Sequence, residues 1–263
     1  MPEAPPAGTS YNLLAAACLA AAAAAVLAAM FLLVSPIRQS PAYNVFCDTR
    51  ALLGIPNVLN VLSNLPFLLV GLAGLRWMRE EPHRLIPELR APYAVLFLGL
   101  AATSAGSAWY HWAPDNDRLF WDRLPIAVAF MGLYTAVLAE RIDIRAAKLL
   151  LVPLVVFGAG SVVWWGVFDD LRPYAVAQFF PVFTIPVLIW LCPPRYTRGG
   201  DLLVAVGCYV AAKVLEELDL RIYAVGSLVS GHTLKHLAAG LGAWIVYRML
   251  VKRQKLIGPA TCP

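Results

Sequence analysis

Five side chains suited to metal binding or acid–base chemistry lie at the ends of apolar segments. Ser107 and His111 are four residues apart at the end of one segment. His232 and His236 have the same spacing at the start of another. Because an α-helix has 3.6 residues per turn, each pair shares one helical face. Asp122 opens the segment that follows the first pair. Three neutral imidazoles that leave a fourth position for water are the ligand set of catalytic zinc, so the pattern predicts a zinc site.

The serine and the aspartate are residue types that hydrolysis uses beside a metal. Asp122 can orient an attacking water or accept its proton, and the Ser107 hydroxyl can hydrogen-bond a developing oxyanion. Simpler interpretations exist: Asp122 could pair with Arg118 or Arg123 or cap its helix. Ser107 could pack between helices, as small residues do in membranes. Histidines on two helices could also ligate haem iron, which needs axial ligands on opposite faces of the macrocycle.

The composition indicates an integral membrane protein. Of the 263 residues, 60% are apolar and 14% are charged, against about 25% charged residues in soluble domains. The formal net charge is +5, but the cations lie in short loops between apolar segments, without a continuous basic face. This pattern argues against nucleic-acid binding. Nothing in the sequence identifies a protein partner.

Eight apolar segments are predicted to form helices of one membrane domain, in which a spanning helix needs about 20 residues. The first, 13–34, lacks the positively charged start of a signal peptide, so we expect a retained helix. Residues 1–12 are predicted to be disordered, 35–56 to form a connector outside the membrane, and 253–263 to form a cytoplasmic tail. The other seven segments are 58–77, 93–112, 119–138, 146–165, 174–190, 202–215 and 234–250.

The charges of the loops predict the orientation in the membrane. Thirteen Lys and Arg residues lie in the loops after the second, fourth and sixth helices and in the C-terminal tail, against eight on the opposite side. The positive-inside rule therefore places both termini in the cytoplasm. Helices of opposite direction then bring the three histidines, the serine and the aspartate together at the extracytoplasmic face.

Three asparagines form a polar stripe on the second predicted helix. Asn57, Asn60 and Asn64 follow i, i+3, i+7 spacing, which puts them on one helical face. A polar stripe in an apolar bundle faces a partner or a cavity. Together with Asp48 in the preceding connector, these asparagines are candidates for a second metal site or for positioning the first.

A cluster of charges lies near the end of the seventh predicted helix, where Lys213, Glu216 and Asp219 are three residues apart. Such spacing favours a self-neutralising group on one helical face. The alternative is that these residues support the histidine site.

In combination, the site motifs resemble those of the alkaline ceramidases. Ser107-xxx-His111, then Asp122 within Trp-Asp-Arg-Leu-Pro, then a late His232-xxx-His236 agree with that family in residue type, spacing and order. The family belongs to the CREST group, seven-helix membrane proteins regarded as hydrolases, which also includes the adiponectin receptors. The segments Ser-Gly-His-Thr-Leu-Lys-His and Gly-Ile-Pro-Asn-Val-Leu-Asn-Val-Leu-Ser-Asn are most like the bacterial members.

The resemblance covers residues 45–250 and implies an all-α polytopic membrane helix bundle. It implies a seven-helix catalytic core over residues 57–252, to which the N-terminal transmembrane helix 13–34 is an addition. It also implies a zinc ion held by the three histidines, with the serine and the aspartate beside it, in a bacterial inner membrane. The implied reaction is hydrolysis of the amide bond of a ceramide-like lipid to a fatty acid and an amine.

The substrate implied by the resemblance is a lipid amide within the membrane. We expect its acyl chain to lie between helices, against apolar walls that include those near Trp109, Trp121 and Phe130. The alternative is a non-catalytic, receptor-like or structural protein on the same zinc-bound fold. Such a protein would keep the histidines without turning over a lipid.

The calcium-binding segment of the family is altered in this chain. In the eukaryotic ceramidases, a segment of the form Trp-Cys-Glu-x-Asn with a later Glu binds calcium. Residues 46–50 here read Phe-Cys-Asp-Thr-Arg, and Asn57 stands where the later Glu would be. Most acidic ligands are replaced and an arginine is introduced, so we do not expect a calcium site.

Overall fold

The structure is a computed structural model that describes residues 7–256, with side chains from residue 14 onward. This part of the chain is all-α and contains no β-strand beyond isolated bridges. All eight predicted segments are helical, which confirms the predicted all-α membrane bundle. The helices are α1 Ala7–Leu33, α2 Val58–Leu62, α3 Leu65–Glu80, α4 Pro87–Trp112, α5 Asn116–Arg141, α6 Ala146–Phe168, α7 Arg172–Leu191, α8 Asp201–Glu217, α9 Asp219–Tyr223 and α10 Gly231–Lys252.

The second predicted helix is divided into α2 and α3. The break falls at Ser63 and Asn64. Pro66 occupies the first turn of α3, where a missing N–H is tolerated. It cannot donate to the carbonyl of Leu62, as a continuous helix would require. The break lies directly beside the histidine site, because Ser63 contacts His236.

α4 and α5 form a tight antiparallel hairpin at the site. Asp115 begins α5 as its N-cap, and its side chain accepts a hydrogen bond from the backbone N–H of Arg118 at 2.7 Å. Gly106 of α4 lies so close to α5 that a Cβ atom there would be 2.2 Å from the carbonyl oxygen of Trp121. This close approach places the next residues, Ser107 and Asp122, side by side.

The start of α10 is held against the end of α8. Ser230 is the N-cap of α10, and its hydroxyl accepts a hydrogen bond from the N–H of Thr233 at 3.1 Å. A Cβ atom at Gly231 would lie 2.2 Å from the carbonyl oxygen of Leu215 in α8. The first two turns of α10 therefore face the ends of α4 and α2.

Within residues 7–256, six helical segments are long and apolar enough to cross a membrane: α1, the α2–α3 pair, α4, α5, α6 and α7. The outer surface of α6 exposes Leu149, Val152 and Val156, which suits contact with lipid. α8 and α10, which the sequence also predicts to span, do not qualify, because α8 has only 17 residues and α10 carries several polar and charged residues. α1 lies at the edge of the bundle against α7.

The two ends of the chain differ from the prediction. Residues 7–12, predicted to be disordered, belong to α1, and residues 1–6 lie outside the described part. In the predicted tail, Arg253 is buried and forms an ion pair with Glu140 at 2.7 Å. The tail is therefore anchored to the bundle at its first residue, and residues 257–263 lie outside the described part.

Candidate metal centre and the adjoining cavity

The three predicted zinc ligands are brought together at one end of the bundle. His111 lies in the last turn of α4, and His232 and His236 lie in the first two turns of α10. All three side chains are buried, and one nitrogen from each lies within 4.8 Å of the others. Among the described residues, no other group of three or more His, Cys, Asp or Glu has this arrangement.

The histidine cluster fits a single metal ion. The Nε2 atoms of His111 and His236 are 3.2 Å apart. Two nitrogens bound to one tetrahedral zinc at about 2.0–2.1 Å would be separated by about 3.3 Å. The Nε2 atom of His232 is buried without a hydrogen-bond partner, a costly state that a metal ion would relieve. The 3.2 Å approach leaves no room for a haem macrocycle between these two imidazoles.

Ser63 is the side-chain hydrogen-bond partner of Nδ1 of His236. The Ser63 hydroxyl donates to the carbonyl oxygen of Asn60 at 3.1 Å, and its oxygen lies 2.7 Å from Nδ1 of His236. With the hydroxyl proton on the carbonyl, the serine oxygen can accept the Nδ1 proton of the histidine. The Nε2 atom of His236 then carries a lone pair that faces the other histidines, as a metal ligand requires.

The asparagine stripe links α2 to the helices that carry the histidines. Nδ2 of Asn57 donates to the backbone carbonyl of His111 at 2.8 Å. Oδ1 of Asn60 accepts from the hydroxyl of Thr233 at 2.8 Å. Nδ2 of Asn64 donates to the carbonyl of Asn60 at 2.8 Å. Asn57 and Asn60 thus join α2 to α4 and α10, whereas Asn64 bonds within its own segment.

Asp48 forms an ion pair with Arg50 and, among the described residues, does not cluster with other acidic side chains. Nε and Nη2 of Arg50 lie 2.8 and 2.7 Å from its two carboxylate oxygens. These hydrogen bonds hold the pKa of Asp48 below its usual range. Nη2 of Arg50 also donates to the carbonyl of Leu228 at 2.8 Å, which ties the connector to the loop before α10.

Asp219, which the sequence offers only through the alternative for its charge cluster, and Phe46, which it does not single out for the site, complete the surroundings. Asp219 accepts a hydrogen bond from the backbone N–H of His232 at 2.7 Å, so it holds the start of α10. Phe46 packs its ring 4.8 Å from that of His111 and 4.6 Å from that of His232. Within the predicted charge cluster, Lys213 and Glu216 pair with each other, whereas Asp219 faces α10, as the alternative predicts.

The predicted catalytic pair lies beside the cluster. Ser107 and Asp122 are both buried and line the same cavity as His236. The simpler interpretations of Asp122 do not apply. Arg118 pairs with Asp115, which also caps the helix, and Arg123 donates to a glutamine. Oδ1 of Asp122 therefore remains without a hydrogen-bond partner.

A cavity of about 470 Å³ opens from the site into the bundle. Ser107, Asp122 and His236 form part of its polar end, and its body is lined by apolar residues of α4, α5, α7, α8 and α10. Phe130 lines the cavity as predicted. Trp109 and Trp121 do not, since they are about half exposed on the outside of the bundle.

Together, the fold and the apolar surface define a polytopic all-α membrane protein. No protein-family model matches the chain. A UPF0060 membrane protein of Arthrobacter sp. (strain FB24) is 32% identical over 83 residues, which are 32% of this chain and 74% of that protein. A UPF0060 membrane protein of Mycolicibacterium gilvum (strain PYR-GCK) is 32% identical over 80 residues, 30% of this chain and 74% of that protein.

A third relative, a UPF0060 membrane protein of Rhodococcus erythropolis, is 30% identical over 79 residues, 30% of this chain and 73% of that protein. By this similarity the chain belongs to the UPF0060 membrane protein family, over about a third of its length. The names of these relatives state membrane location and no activity. The resemblance to the alkaline ceramidases therefore stays a prediction that rests on the site motifs.

Proposed function

We propose that the protein is a zinc-dependent integral membrane amidohydrolase that cleaves the amide bond of ceramide-like lipids. The observation that supports this proposal is the convergence of His111, His232 and His236 beside Ser107 and Asp122, at the polar end of an apolar cavity. Water adds its oxygen to the acyl carbon, the carbon–nitrogen bond breaks, and the products are a fatty acid and an amine.

The residues of the site have distinct roles in this proposal. Zinc held by the three imidazoles would polarise the amide carbonyl and make water more acidic. Asp122 accepts a proton from the attacking water through its unpartnered oxygen and passes it to the leaving nitrogen. Ser107 donates its hydroxyl proton to the oxyanion that develops on the substrate. Phe46, packed against two imidazoles, limits the entry of further water.

The cavity provides the site for the acyl chain. It extends from Glu216 at the end of α8 to Leu202 in its first turn, a span of roughly 21 Å at 1.5 Å per residue. Its walls are apolar along this length, so an extended acyl chain replaces water there at little cost in polar contacts. The amide then lies at the polar end, beside the histidines.

The proposed location is a bacterial inner membrane with both chain termini in the cytoplasm. The loop charges support this orientation through the positive-inside rule. The histidine site would then open toward the extracytoplasmic face. Lipid amides of the outer leaflet would reach it without crossing the membrane.

The test is elemental analysis of the purified protein, followed by hydrolysis of a fluorescent ceramide series. We expect one zinc per chain in the wild type, and loss of both zinc and fatty-acid release in His236→Ala. His83→Ala is the matched control, because this histidine is about three-quarters exposed and distant from the site. Zinc without turnover of any lipid amide would favour the non-catalytic alternative. Absence of zinc from the wild type would overturn the proposal.

A further inference from the structure

The polar end of the cavity carries more positive than negative charge. It is formed by Asp122, Arg123, Lys213, Glu216 and Lys235, together with the site residues. Three cations face two carboxylates, and neutral imidazoles add no negative charge. Apart from the aspartate, none of these charged residues has a part in the hydrolysis proposed above.

Glu216 is shared between two ammonium groups. Nζ of Lys213 and Nζ of Lys235 both donate to its carboxylate, and the hydroxyl of Tyr43 donates to Oε1 at 2.9 Å. The glutamate and Lys235 have only 10% and 17% of their side chains exposed. One carboxylate cannot neutralise two ammonium groups, and water screens the excess charge only in part, because Lys213 is 37% exposed while Lys235 is largely buried.

Arg123 has no ion-pair partner within the described part of the chain, although only 6% of it is exposed. Its Nη2 atom donates to Oε1 of Gln39 at 2.6 Å, and its Nη1 atom is buried without a partner. The guanidinium lies over the ring of Trp165 at 4.3 Å. The rings of Tyr43 and Tyr174 also face it, at 5.3 and 5.2 Å. Aromatic faces stabilise a cation only in part, so this buried guanidinium with an unpartnered N–H can bind a further anionic group.

We propose that the polar end of the cavity is a subsite for an anionic group on the amine part of the lipid amide. Lys213, Lys235 and Arg123 would donate hydrogen bonds to a carboxylate or a phosphate, which share the chemistry of anionic oxygens. This inference rests on the proposed function and narrows its substrates to acidic lipid amides. Hydrolysis would then release a fatty acid together with an amino acid or an amino-alkyl phosphate.

The test uses three ligands with the same hexadecanoyl chain and different head groups. In each ligand a methylene replaces the amide nitrogen, so that binding is measured without turnover. The head groups are a carboxylate, a phosphate and a neutral hydroxyl. Affinity for the purified full chain is measured in neutral detergent by displacement of a fluorescent fatty acid. We expect at least one acidic ligand to bind about tenfold more tightly than the hydroxyl ligand, the effect of one charge-assisted hydrogen bond.

Some substitutions should lower the preference for acidic ligands and one should raise it, and this contrast separates the effect from a loss of folding. In Lys213→Met and Lys235→Met the preference for the acidic ligand should fall, whereas Lys213→Arg should retain it. Glu216→Gln should increase the preference, because it frees two ammonium groups. Lys148→Met, at an exposed lysine outside the cavity, is the matched control. Equal affinities for the acidic and neutral ligands in the wild type would overturn the inference.

Hydrolysis of the three matched amides separates the two proposals. Preference for acidic ligands without hydrolysis of any amide would support the subsite and overturn the hydrolase. Hydrolysis of all three amides at similar rates, with no binding preference, would support the hydrolase and overturn the subsite. Between the acidic ligands, the tighter one identifies the anion as a carboxylate or a phosphate.

Discussion

At the scale of single residues, the metal-binding capacity of the cluster depends on which nitrogen of each imidazole carries the proton. For His236 the answer comes from Ser63, whose own proton is used on the carbonyl of Asn60. The serine can take this place because the helix breaks between α2 and α3. A local interruption at Pro66 therefore brings a hydrogen-bond partner to a histidine of α10.

The role of Ser63 predicts a selective loss of metal affinity. In Ser63→Ala the Nδ1 proton of His236 loses its acceptor, and we expect zinc affinity to fall about ten- to hundredfold, as for other supporting residues of metal ligands. Ser63→Thr keeps the hydroxyl and should restore affinity. The measurement is competition with a zinc chelator. Ser161→Ala removes another buried helix hydroxyl, away from the histidines, and should leave zinc affinity unchanged. Equal affinities in Ser63→Ala and wild type would contradict this role.

Asp48 and Arg50 predict a pH dependence of stability. The folded pKa of Asp48 lies below its ordinary value, because the guanidinium donates to the carboxylate. The ion pair therefore stabilises the fold above the ordinary pKa of an aspartate, about 4, and this contribution is lost as pH falls through the folded pKa. We expect Arg50→Met to lower the melting temperature at pH 7 and to lower it by less at strongly acid pH, where only the hydrogen bond of Arg50 to Leu228 is lost. A difference that persists unchanged at acid pH would contradict this assignment.

At the scale of helices, two glycines set how closely the site-bearing elements approach. Gly106 allows α4 to reach the backbone of α5, and Gly231 allows α10 to reach α8. Both neighbours are backbone carbonyls, which cannot move aside as a flexible side chain can. The distances between Ser107, Asp122 and the histidines therefore depend on residues that carry no side chain.

Substitution of these two glycines should destabilise the fold, whereas substitution of a glycine with open space around it should not. Gly106→Ala and Gly231→Ala place a methyl group 2.2 Å from a carbonyl oxygen, and we expect about 1–3 kcal/mol of destabilisation with separation of the helices. Gly160→Ala, where nothing lies within 4 Å, should be neutral or slightly stabilising because alanine favours helices. Thermal melting in detergent and zinc content measure the two effects. Tight zinc binding by Gly106→Ala at wild-type stability would contradict the packing argument.

At the scale of the whole molecule, the spacing of the histidines along their helices predicts that they meet at one end of the bundle, as the structure has them. The four-residue spacings fix the face of each helix, and the alternation of helices fixes the end of the bundle. The orientation of Trp109 and Trp121 was mispredicted, because lipid and protein interior are both apolar and hydrophobicity does not distinguish them. The contacts of Asp219 and Ser63 depend on helix breaks and close approaches, which residue spacing along one helix does not encode.

The orientation of the whole bundle gives the last prediction. The loop around His83 is rich in arginine, whereas the loop around Val225, between α9 and α10, lies at the end of the bundle that holds the histidines. Cytoplasmic loops retain arginine and lysine. In a background where the free thiols Cys18, Cys47 and Cys208 are serine, an impermeant maleimide added to bacterial spheroplasts should label Val225→Cys. It should label His83→Cys only after permeabilisation. The reverse pattern would place the histidine site in the cytoplasm, where lipid amides would have to come from the inner leaflet.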